Sequence, residues 1–289
     1  GTQTVTRSVT NVGKEQATYN ASVTGMAGVG VVVTPSSLAI APGQTKSFTV
    51  KFTRGEAALS AYTGGNLTWS DGSHTVRIPM VVRPVALAAP AEVSGTGAPI
   101  SYTVQFGYNG PFTAAPRGLV APAINPGTVA DDPTNSTCSL ASPNAQKIDV
   151  VVPAGTTFAR FQLFDADVSP GSDLDMCVYN GATQVGGSGS GTSAEQVDLL
   201  NPAAATYTVV VQGWGVVGSS PFKLHTWLVG GTSAGNMTVT APTTAVLGTA
   251  GTIGLSFTGL APATKYLGSV AYSGSTNLPN PTVVRVDTP

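Results

Sequence analysis

The chain has 289 residues, of which only 9% are charged, and its formal net charge is −1. A typical soluble domain has about 25% charged residues, so hydroxyl and amide groups must carry the solubility of this chain, as in many secreted proteins. The balanced charge offers no basic face and argues against nucleic acid or a charged membrane surface as a partner, and no apolar run approaches the roughly 20 residues of a membrane-spanning helix.

Turn-forming residues dominate the composition. The chain contains 35 glycines and 21 prolines, and most of its remaining polar positions are Ser or Thr. Such a composition favours short strands joined by turns over long helices. We therefore predict an all-β protein built as tandem β-sandwich modules, two or three in number for a chain of this length.

The first predicted unit covers residues 1–86. Alternating runs such as TVTRSVTNVG and ATYNASVTG are separated by Gly, Pro and Asn, at intervals of about ten residues that are typical of a sandwich. LAIAPGQTKSFTV reads as two strands around a Pro-Gly turn. The alternation begins at the first residues, so we expect the chain to be a fragment of a longer precursor.

One stretch of this unit, GNLTWSDGSHTVRIPMVV, brings together a serine, an aspartate and a histidine, the residue types of a hydrolase triad. Asp-Gly is the strongest two-residue hairpin signal, which places Asp71 and Ser73 at a turn and His74 at the start of the next strand. Side chains this close on one reversing turn diverge, whereas a triad needs them to converge. We interpret the stretch as a hairpin with Trp69 in the core.

The order of these motifs is that of a known family. TVTRSVTNVG, ATYNASV, GVGVVVTPSSLAIAPGQTKSFTVKF and GGNLTWSDGSHTVRIPMVV resemble the fibronectin-III-like domain that follows the catalytic domain in subtilisin-like serine proteases of the cucumisin type. The resemblance implies that the catalytic aspartate, histidine and serine belong to a domain upstream. The segment that usually precedes the first motif is missing here, which again suggests truncation.

Residues 87–99, which overlap the run ALAAPAEVSGTGA, are small, polar and rich in turn formers. We interpret them as a linker.

A second unit is predicted over residues 100–230. Its runs KIDVVVPAGTTFARFQLFDADV, DLDMCVYN, EQVDLL and TYTVVVQGW resemble the pre-peptidase C-terminal domain, a small β-sandwich found behind the catalytic domains of secreted bacterial proteases. That resemblance covers about residues 146–229.

The third unit, residues 235–289, reads as four strands and is small for a sandwich that must bury its own core. The strands of residues 100–118 have no counterpart in the pre-peptidase resemblance. We therefore hypothesise that residues 100–118 pair with the C-terminal strands into one split sandwich, with the intervening unit inserted in it.

The two cysteines, Cys138 and Cys177, are predicted to form a disulfide, because neither shows a metal-ligand spacing with His74 or His225 and an extracellular β-protein favours oxidation. Two buried thiols are the alternative. Apart from the metal question, His225 has no acidic neighbour in the sequence that would indicate a catalytic group.

FDADVSPGSDLD concentrates four carboxylates, and a loop between acidic strand ends can supply the oxygen ligands that Ca²⁺ requires. The predicted metal ligands are Asp165, Asp167, Asp173 and Asp175. The alternative is that these residues end strands and cap turns through backbone N–H groups. Related pre-peptidase domains in some collagenases bind calcium, so this resemblance also favours a calcium site.

Trp214, flanked by glycines in QGWGVVGSS, is the candidate for an exposed ligand surface, although aromatic residues in alternating strands usually lie in the core.

These observations predict a non-catalytic accessory C-terminal region of a secreted subtilisin-like endopeptidase, aiding folding, secretion, substrate positioning or self-association. The expected partners are the protease domain of the same polypeptide, a protein substrate or a second copy in a homodimer. No cofactor beyond Ca²⁺ is expected. The expected location is extracellular and the source bacterial, because the second resemblance is to bacterial modules. An adhesin or an array of carbohydrate-binding modules is the alternative.

Overall fold

The structure, a computed structural model, describes all of residues 1–289. Strands make up almost all of the regular secondary structure, and a single 3₁₀ turn at Asp165–Asp167 is the one helical element. The structure contains no helical segment with the length and hydropathy that a membrane-spanning helix requires. The prediction of an all-β protein made of tandem sandwiches is confirmed.

Residues 1–82 form the N-terminal sandwich. One sheet has the order β1-β5-β3 and the other β4-β2-β6-β7, and the packed ring of Phe48 meets Trp69 edge to face with centroids 5.1 Å apart. The strands are β1 (Thr2–Thr10), β2 (Ala17–Gly25), β3 (Val29–Thr34), β4 (Ser37–Ile40), β5 (Thr45–Arg54), β6 (Thr63–Ser70) and β7 (Thr75–Val82). The hairpin predicted at the Asp-Gly turn is confirmed, since β6 pairs with β7 through Ser70 and Thr75.

The chain then enters a second sandwich, leaves it and later returns. The first part contributes β8 (Leu87–Ala88), β9 (Glu92–Gly95), β10 (Ile100–Phe106), β11 (Gly110–Pro111) and β12 (Thr113–Val120). We call this the split sandwich, because its remaining strands lie near the C-terminus of the chain.

An inserted sandwich follows over residues 123–230. Its sheets have the orders β13-β20-β15-β18 and β14-β19-β16-β17. The strands are β13 (Ala123–Ala130), β14 (Gln146–Val152), β15 (Thr156–Gln162), β16 (Asp173–Asn180), β17 (Thr183–Ser188), β18 (Gln196–Leu200), β19 (Ala205–Gly215) and β20 (Ser219–Gly230).

The last strands complete the split sandwich. They are β21 (Met237–Thr240), β22 (Thr244–Ala245), β23 (Ala250–Phe257), β24 (Lys265–Ser273) and β25 (Thr282–Asp287). Its sheets run β21-β23-β10-β8 and β12-β24-β25-β9, with β11 and β22 forming a short ribbon. Thus β10 pairs with β23 and β12 pairs with β24, which is the pairing that the split-sandwich hypothesis requires.

This topology corrects two predicted boundaries. Residues 87–99 are not a linker: Leu87 is 1% exposed, β8 pairs with β10, and β9 pairs in parallel with β25. Residues 100–120 do not belong to the second unit, because their hydrogen bonds go to the C-terminal strands. Alternation along the chain gives the faces of a strand but not its partner, so sequence periodicity alone placed these segments wrongly.

The two chain segments that connect the inserted sandwich to the split sandwich lie side by side. The backbone N–H of Gly118 donates to the carbonyl of Thr232 (3.0 Å), and the N–H of Ala234 donates back to the carbonyl of Gly118 (2.7 Å). The chain therefore leaves the split sandwich and returns to it at adjacent positions.

The inserted sandwich rests on the split sandwich through an apolar contact. Phe158, Trp227 and Val229 of the inserted sandwich pack against Leu267 and Val283 of the split sandwich. The indole Nε1 of Trp227 donates a hydrogen bond of 2.9 Å to the backbone carbonyl of Lys265. The apolar packing and this directional hydrogen bond together fix the orientation of the ring.

A buried arginine adds an ionic contact at the same interface. Arg160 on β15 is 1% exposed. Its guanidinium donates to Asp198 of the inserted sandwich from Nε (2.7 Å) and to Glu92 of the split sandwich from Nη2 (2.7 Å). Two carboxylates thus neutralise the buried cation, and one of them lies on each sandwich.

The predicted disulfide is confirmed. Cys138 and Cys177 are joined, with Cα atoms 6.0 Å apart, and both pack against Tyr179 and Val210. The bond attaches the long loop between β13 and β14 to strand β16.

We predict that Trp227→Ala lowers the free energy of unfolding by about 3–5 kcal/mol, the usual cost of emptying a buried aromatic site. The matched control is Trp214→Ala, which truncates a half-buried tryptophan of the same sandwich and should cost about 1 kcal/mol or less. Urea unfolding followed by far-ultraviolet circular dichroism measures both. Equal losses in the two variants would contradict the importance of the interface.

Removing the disulfide by the double substitution Cys138→Ala and Cys177→Ala should cost about 4 kcal/mol, because the bond closes a loop of 39 residues. The comparison is made by urea unfolding without reductant. A reductant should then destabilise the native protein and leave the double variant unchanged; sensitivity of the variant to reductant would contradict the assignment.

Candidate functional sites

The aspartate and histidine of the hairpin form a turn rather than a reactive group. The carboxylate of Asp71 accepts N–H bonds from Ser73 (2.8 Å) and His74 (2.6 Å) and lies 3.0 Å from Nδ1 of His74. The backbone hydrogen bond from His74, followed by its side-chain bond, lowers the pKa of Asp71 to about 2. The ring of His74 is exposed, and the nearby hydroxyl of Ser70 donates to a backbone carbonyl instead.

A second histidine–aspartate pair was not foreseen from the sequence. His225 on β20 places Nε2 2.9 Å from Asp167, whose other oxygen accepts from Lys223 at 2.8 Å. The imidazole lies between the rings of Phe164 and Trp227, at centroid distances of 4.9 and 5.9 Å. Asp167 lies 58 positions before His225 in the chain. The one sequence signal for this contact is that Lys223 and His225, two positions apart, share a face of the strand and can therefore bind the same partner.

The contacts of the His225–Asp167 pair are those of packing and charge neutralisation. Burial alone would raise the pKa of Asp167, but hydrogen bonds from Lys223 and then His225 hold it below its ordinary value. The other ring nitrogen of His225, Nδ1, has no hydrogen-bond partner. No serine hydroxyl contacts the ring, so the arrangement lacks the nucleophile of a triad.

The four aspartates predicted as calcium ligands are not assembled into one ligand set. Asp167 is turned to Lys223 and His225, whereas Asp173 and Asp175 start strand β16. No group of three or more His, Cys, Asp or Glu side chains is arranged to hold a metal ion. The physical reason is that both carboxylate oxygens of Asp167, in the 3₁₀ turn, are held by side chains of β20.

Asp173 and Asp175 instead face a buried glutamate. Glu195 is fully buried, and it accepts hydrogen bonds from the hydroxyls of Ser188 and Ser190 and from the N–H of Ser190. Burial, followed by the charge of Asp173 and that of Glu195, raises the pKa of Asp175 to about 6. The Gly/Ser-rich loop thus uses hydroxyl donors to keep one carboxylate in the interior.

Other aromatic residues of the split and inserted sandwiches lie in the core, whereas Trp214 does not. Tyr108, Phe112 and Trp227 are buried. Trp214 is half-buried on β19, three positions before the fully exposed Val217. A ligand surface at Trp214 therefore stays a prediction.

A cavity lies in the N-terminal sandwich between β1 and β7 and reaches the split sandwich at Ala88, Gln105 and Gly107. Its volume is about 540 Å³, within the range of about 300–1,000 Å³ that is usual for ligand sites. Apolar side chains of both sheets line it, namely Val5, Phe48, Phe52, Leu67, Ile78 and Val82. We call this cavity the edge groove.

A smaller cleft of about 380 Å³ lies between the two other sandwiches, with Arg160, Asp198 and Glu92 in its lining. Because these residues bind one another, the cleft belongs to the interface described above.

The family model of the fibronectin type-III domain matches residues 1–82. Among curated relatives, the subtilisin-like protease SBT3.9 of Arabidopsis thaliana is 40% identical over 84 residues, which are 29% of this chain and 11% of the relative. The subtilisin-like protease SBT3.3 of the same plant is 43% identical over 81 residues, which are 28% of this chain and 10% of the relative.

Residues 1–82 form a fibronectin-III-like domain homologous to the C-terminal region of plant subtilisin-like proteases. The resemblance stated for this unit is thereby confirmed. The chain spans about a tenth of the length of the relatives that it matches. These relatives are plant proteins and do not support the expected bacterial source.

A solved structure, the secreted serine protease VesC from Vibrio cholerae, aligns with 81% of this chain and 48% of its own, at 13% identity and a TM-score of 0.25. A score this low supports no inference. The pre-peptidase resemblance of residues 146–229 therefore stays a prediction.

We predict that Asp175→Asn stabilises the protein at about pH 8 and has little effect at about pH 4. A carboxyl whose pKa is raised on folding, here from about 3.9 to about 6, contributes most below its unfolded pKa, and that contribution is lost as the pH rises through 6. Because the group is partly exposed, we expect a discounted gain of about 1 kcal/mol.

Urea unfolding at the two pH values measures this effect. The control is Asp149→Asn, which neutralises an exposed aspartate on β14 of the same sandwich and should give no gain that depends on pH. An equal gain for Asp175→Asn at both pH values would contradict the role of its charge.

Proposed function

We propose that this chain is a non-catalytic accessory region of a secreted subtilisin-like serine endopeptidase. The observation that carries the proposal is the identity of 40–43% between its N-terminal sandwich and subtilisin-like proteases. In these relatives the homologous domain lies in the C-terminal region. The partner would be the protease domain of the same polypeptide, which would cleave peptide bonds.

The internal structure supports an accessory role. Both histidines contact aspartate, but neither ring contacts a serine hydroxyl, so the chain offers no assembled nucleophile. The disulfide is of the kind that persists in oxidising compartments, which supports an extracellular location. The packed interface between the split and inserted sandwiches would hold a protein substrate or a second copy at a fixed distance from the protease.

The N-terminal sandwich is also tied to the split sandwich. The guanidinium of Arg54 donates from Nη1 to the carbonyl of Gly107 at 2.9 Å and from Nε to the carbonyl of Ala57 at 2.7 Å. Leu59 packs against the core of the split sandwich. These contacts would transmit the orientation of the protease to the rest of the region.

The proposal predicts that the purified chain hydrolyses no casein and is not labelled by a fluorophosphonate, a reagent for activated serines. A subtilisin treated in parallel is the positive control. Labelling that disappears on heat denaturation would show an activated serine in this chain and would contradict the proposal.

The coding sequence upstream of residue 1 provides an independent check. It should encode a subtilisin-like domain with its own aspartate, histidine and serine motifs. An unrelated domain in that position would overturn the protease assignment without affecting the fold.

A further inference from the structure

The cleft between the inserted and split sandwiches is lined by polar residues of both. Arg160 and Asp198 line it from the inserted sandwich, and Glu92 and Ser269 line it from the split sandwich. We call this space the interface cleft. Its volume of about 380 Å³ lies within the range of about 300–1,000 Å³ that is usual for ligand sites. Asp198 and Leu200 in its lining are exposed, so the interface cleft opens to solvent.

Two buried polar atoms of this lining have no hydrogen-bond partner within the protein. They are Nη1 of Arg160 and Oγ of Ser269, and each of the two residues is only 1% exposed. One belongs to each sandwich. A buried polar group without a partner costs free energy, so such groups are rare in native structures. By contrast, no residue that lines the edge groove has an unpaired buried polar atom.

The other hydrogen bonds of Arg160 hold its guanidinium in place. Nε and Nη2 donate to Asp198 at 2.7 and 2.8 Å, and Nη2 also donates to Glu92 at 2.7 Å. The guanidinium carbon lies 5.6 Å from the centroid of the Phe158 ring, which also lines the interface cleft. Because a guanidinium is a rigid plane, these contacts fix Nη1 with its N–H donors unused. A donor fixed in advance lowers the cost of binding a ligand.

The charges of the lining favour a neutral ligand. Arg160 contributes one positive charge, and Asp198 and Glu92 contribute two negative charges, so the charged groups of the interface cleft sum to −1. The two carboxylates are about one-third exposed, at 34% and 32%, and can accept further hydrogen bonds from a ligand. Apolar side chains complete the lining, namely Pro90, Phe158, Leu200, Pro281 and Val283.

A ligand that satisfies this lining must both accept and donate hydrogen bonds within a small space. It has to accept from Nη1 of Arg160, bond the hydroxyl of Ser269 and donate to a carboxylate. A hydroxyl group does both, and a sugar ring carries several adjacent hydroxyls on a neutral body with apolar C–H faces. Sugars therefore match the donors, the acceptors and the apolar wall together.

We propose that the interface cleft binds a neutral sugar residue at the end of a glycan. Hydroxyls of the sugar would accept from Arg160, bond Ser269 and donate to Glu92 or Asp198, and a C–H face would pack beside Phe158. This inference goes beyond the accessory role proposed above and holds whether or not that role is correct.

The test uses the full chain and three defined probes: methyl β-glucopyranoside, methyl β-galactopyranoside and methyl α-mannopyranoside. In a titration followed by nuclear magnetic resonance, at least one of them should shift the backbone amide of Ser269 and the side-chain Nε–H of Arg160 to saturation. The uronic acid counterpart of the tightest glycoside carries a carboxylate in place of the hydroxymethyl group. It should bind about tenfold more weakly, with the difference shrinking at high salt.

Two matched variants separate binding from stability. Ser269→Ala removes the unpaired hydroxyl and should weaken binding of the tightest glycoside about tenfold. Because this hydroxyl has no partner in the fold, the same variant should melt at the native temperature or above it. Thr226→Val removes another buried, unpaired hydroxyl, from a residue outside the interface cleft, and should bind as the native chain does.

Saturable shifts that weaken in Ser269→Ala and persist in Thr226→Val support the proposal. No shift with any of the three glycosides overturns it, and so does unchanged binding by a Ser269→Ala variant that melts at a lower temperature, since the hydroxyl would then have a structural role. Equal binding of N-acetylalanine N-methylamide, which has amide groups and no hydroxyl, would make peptide groups the ligand and would also overturn it. A uronic acid that binds as tightly as its neutral counterpart overturns the preference for neutral sugars.

Discussion

The docking of the inserted sandwich on the split sandwich depends on one buried cation. Arg160 lies in the interface and binds Asp198 on its own sandwich and Glu92 on the other. A guanidinium this deeply buried is tolerated only when carboxylates of good geometry neutralise it. The position of Glu92 on β9 therefore couples the segment once expected to be a linker to the relative placement of two domains.

Apolar packing and hydrogen bonding act together with this ion pair. Trp227 fills the contact beside Leu267 and Val283. Within the split sandwich, hydroxyl groups form a continuous chain: Tyr102 contacts Tyr272 (2.8 Å), Tyr272 contacts Thr282 (2.6 Å), and Thr282 donates to the carbonyl of Pro90 (2.7 Å). A chain with so few charges satisfies its interior polar groups with Ser, Thr and Tyr, which explains why its low charge content is compatible with buried polar contacts.

The features that sequence analysis predicted correctly are those determined by local chemistry. Asp71 and Gly72 specify a hairpin because glycine accepts the positive φ of 94° that the turn requires. The cysteine pair was predicted because there are only two cysteines and no metal spacing. By contrast, the contact of His225 with Asp167 and that of Arg160 with Glu92 join residues 58 and 68 positions apart. Such contacts depend on how sheets stack, which alternation along one strand does not encode.

The adjacent bonds of Gly118 with Thr232 and Ala234 have a mechanical consequence. Tension applied along the polypeptide between its two ends would reach these crossing bonds before it reached the strands of the inserted sandwich. The loop of chain beyond them would be shielded from load as long as the split sandwich holds together. A module inserted in this way can remain folded while its host carries the force.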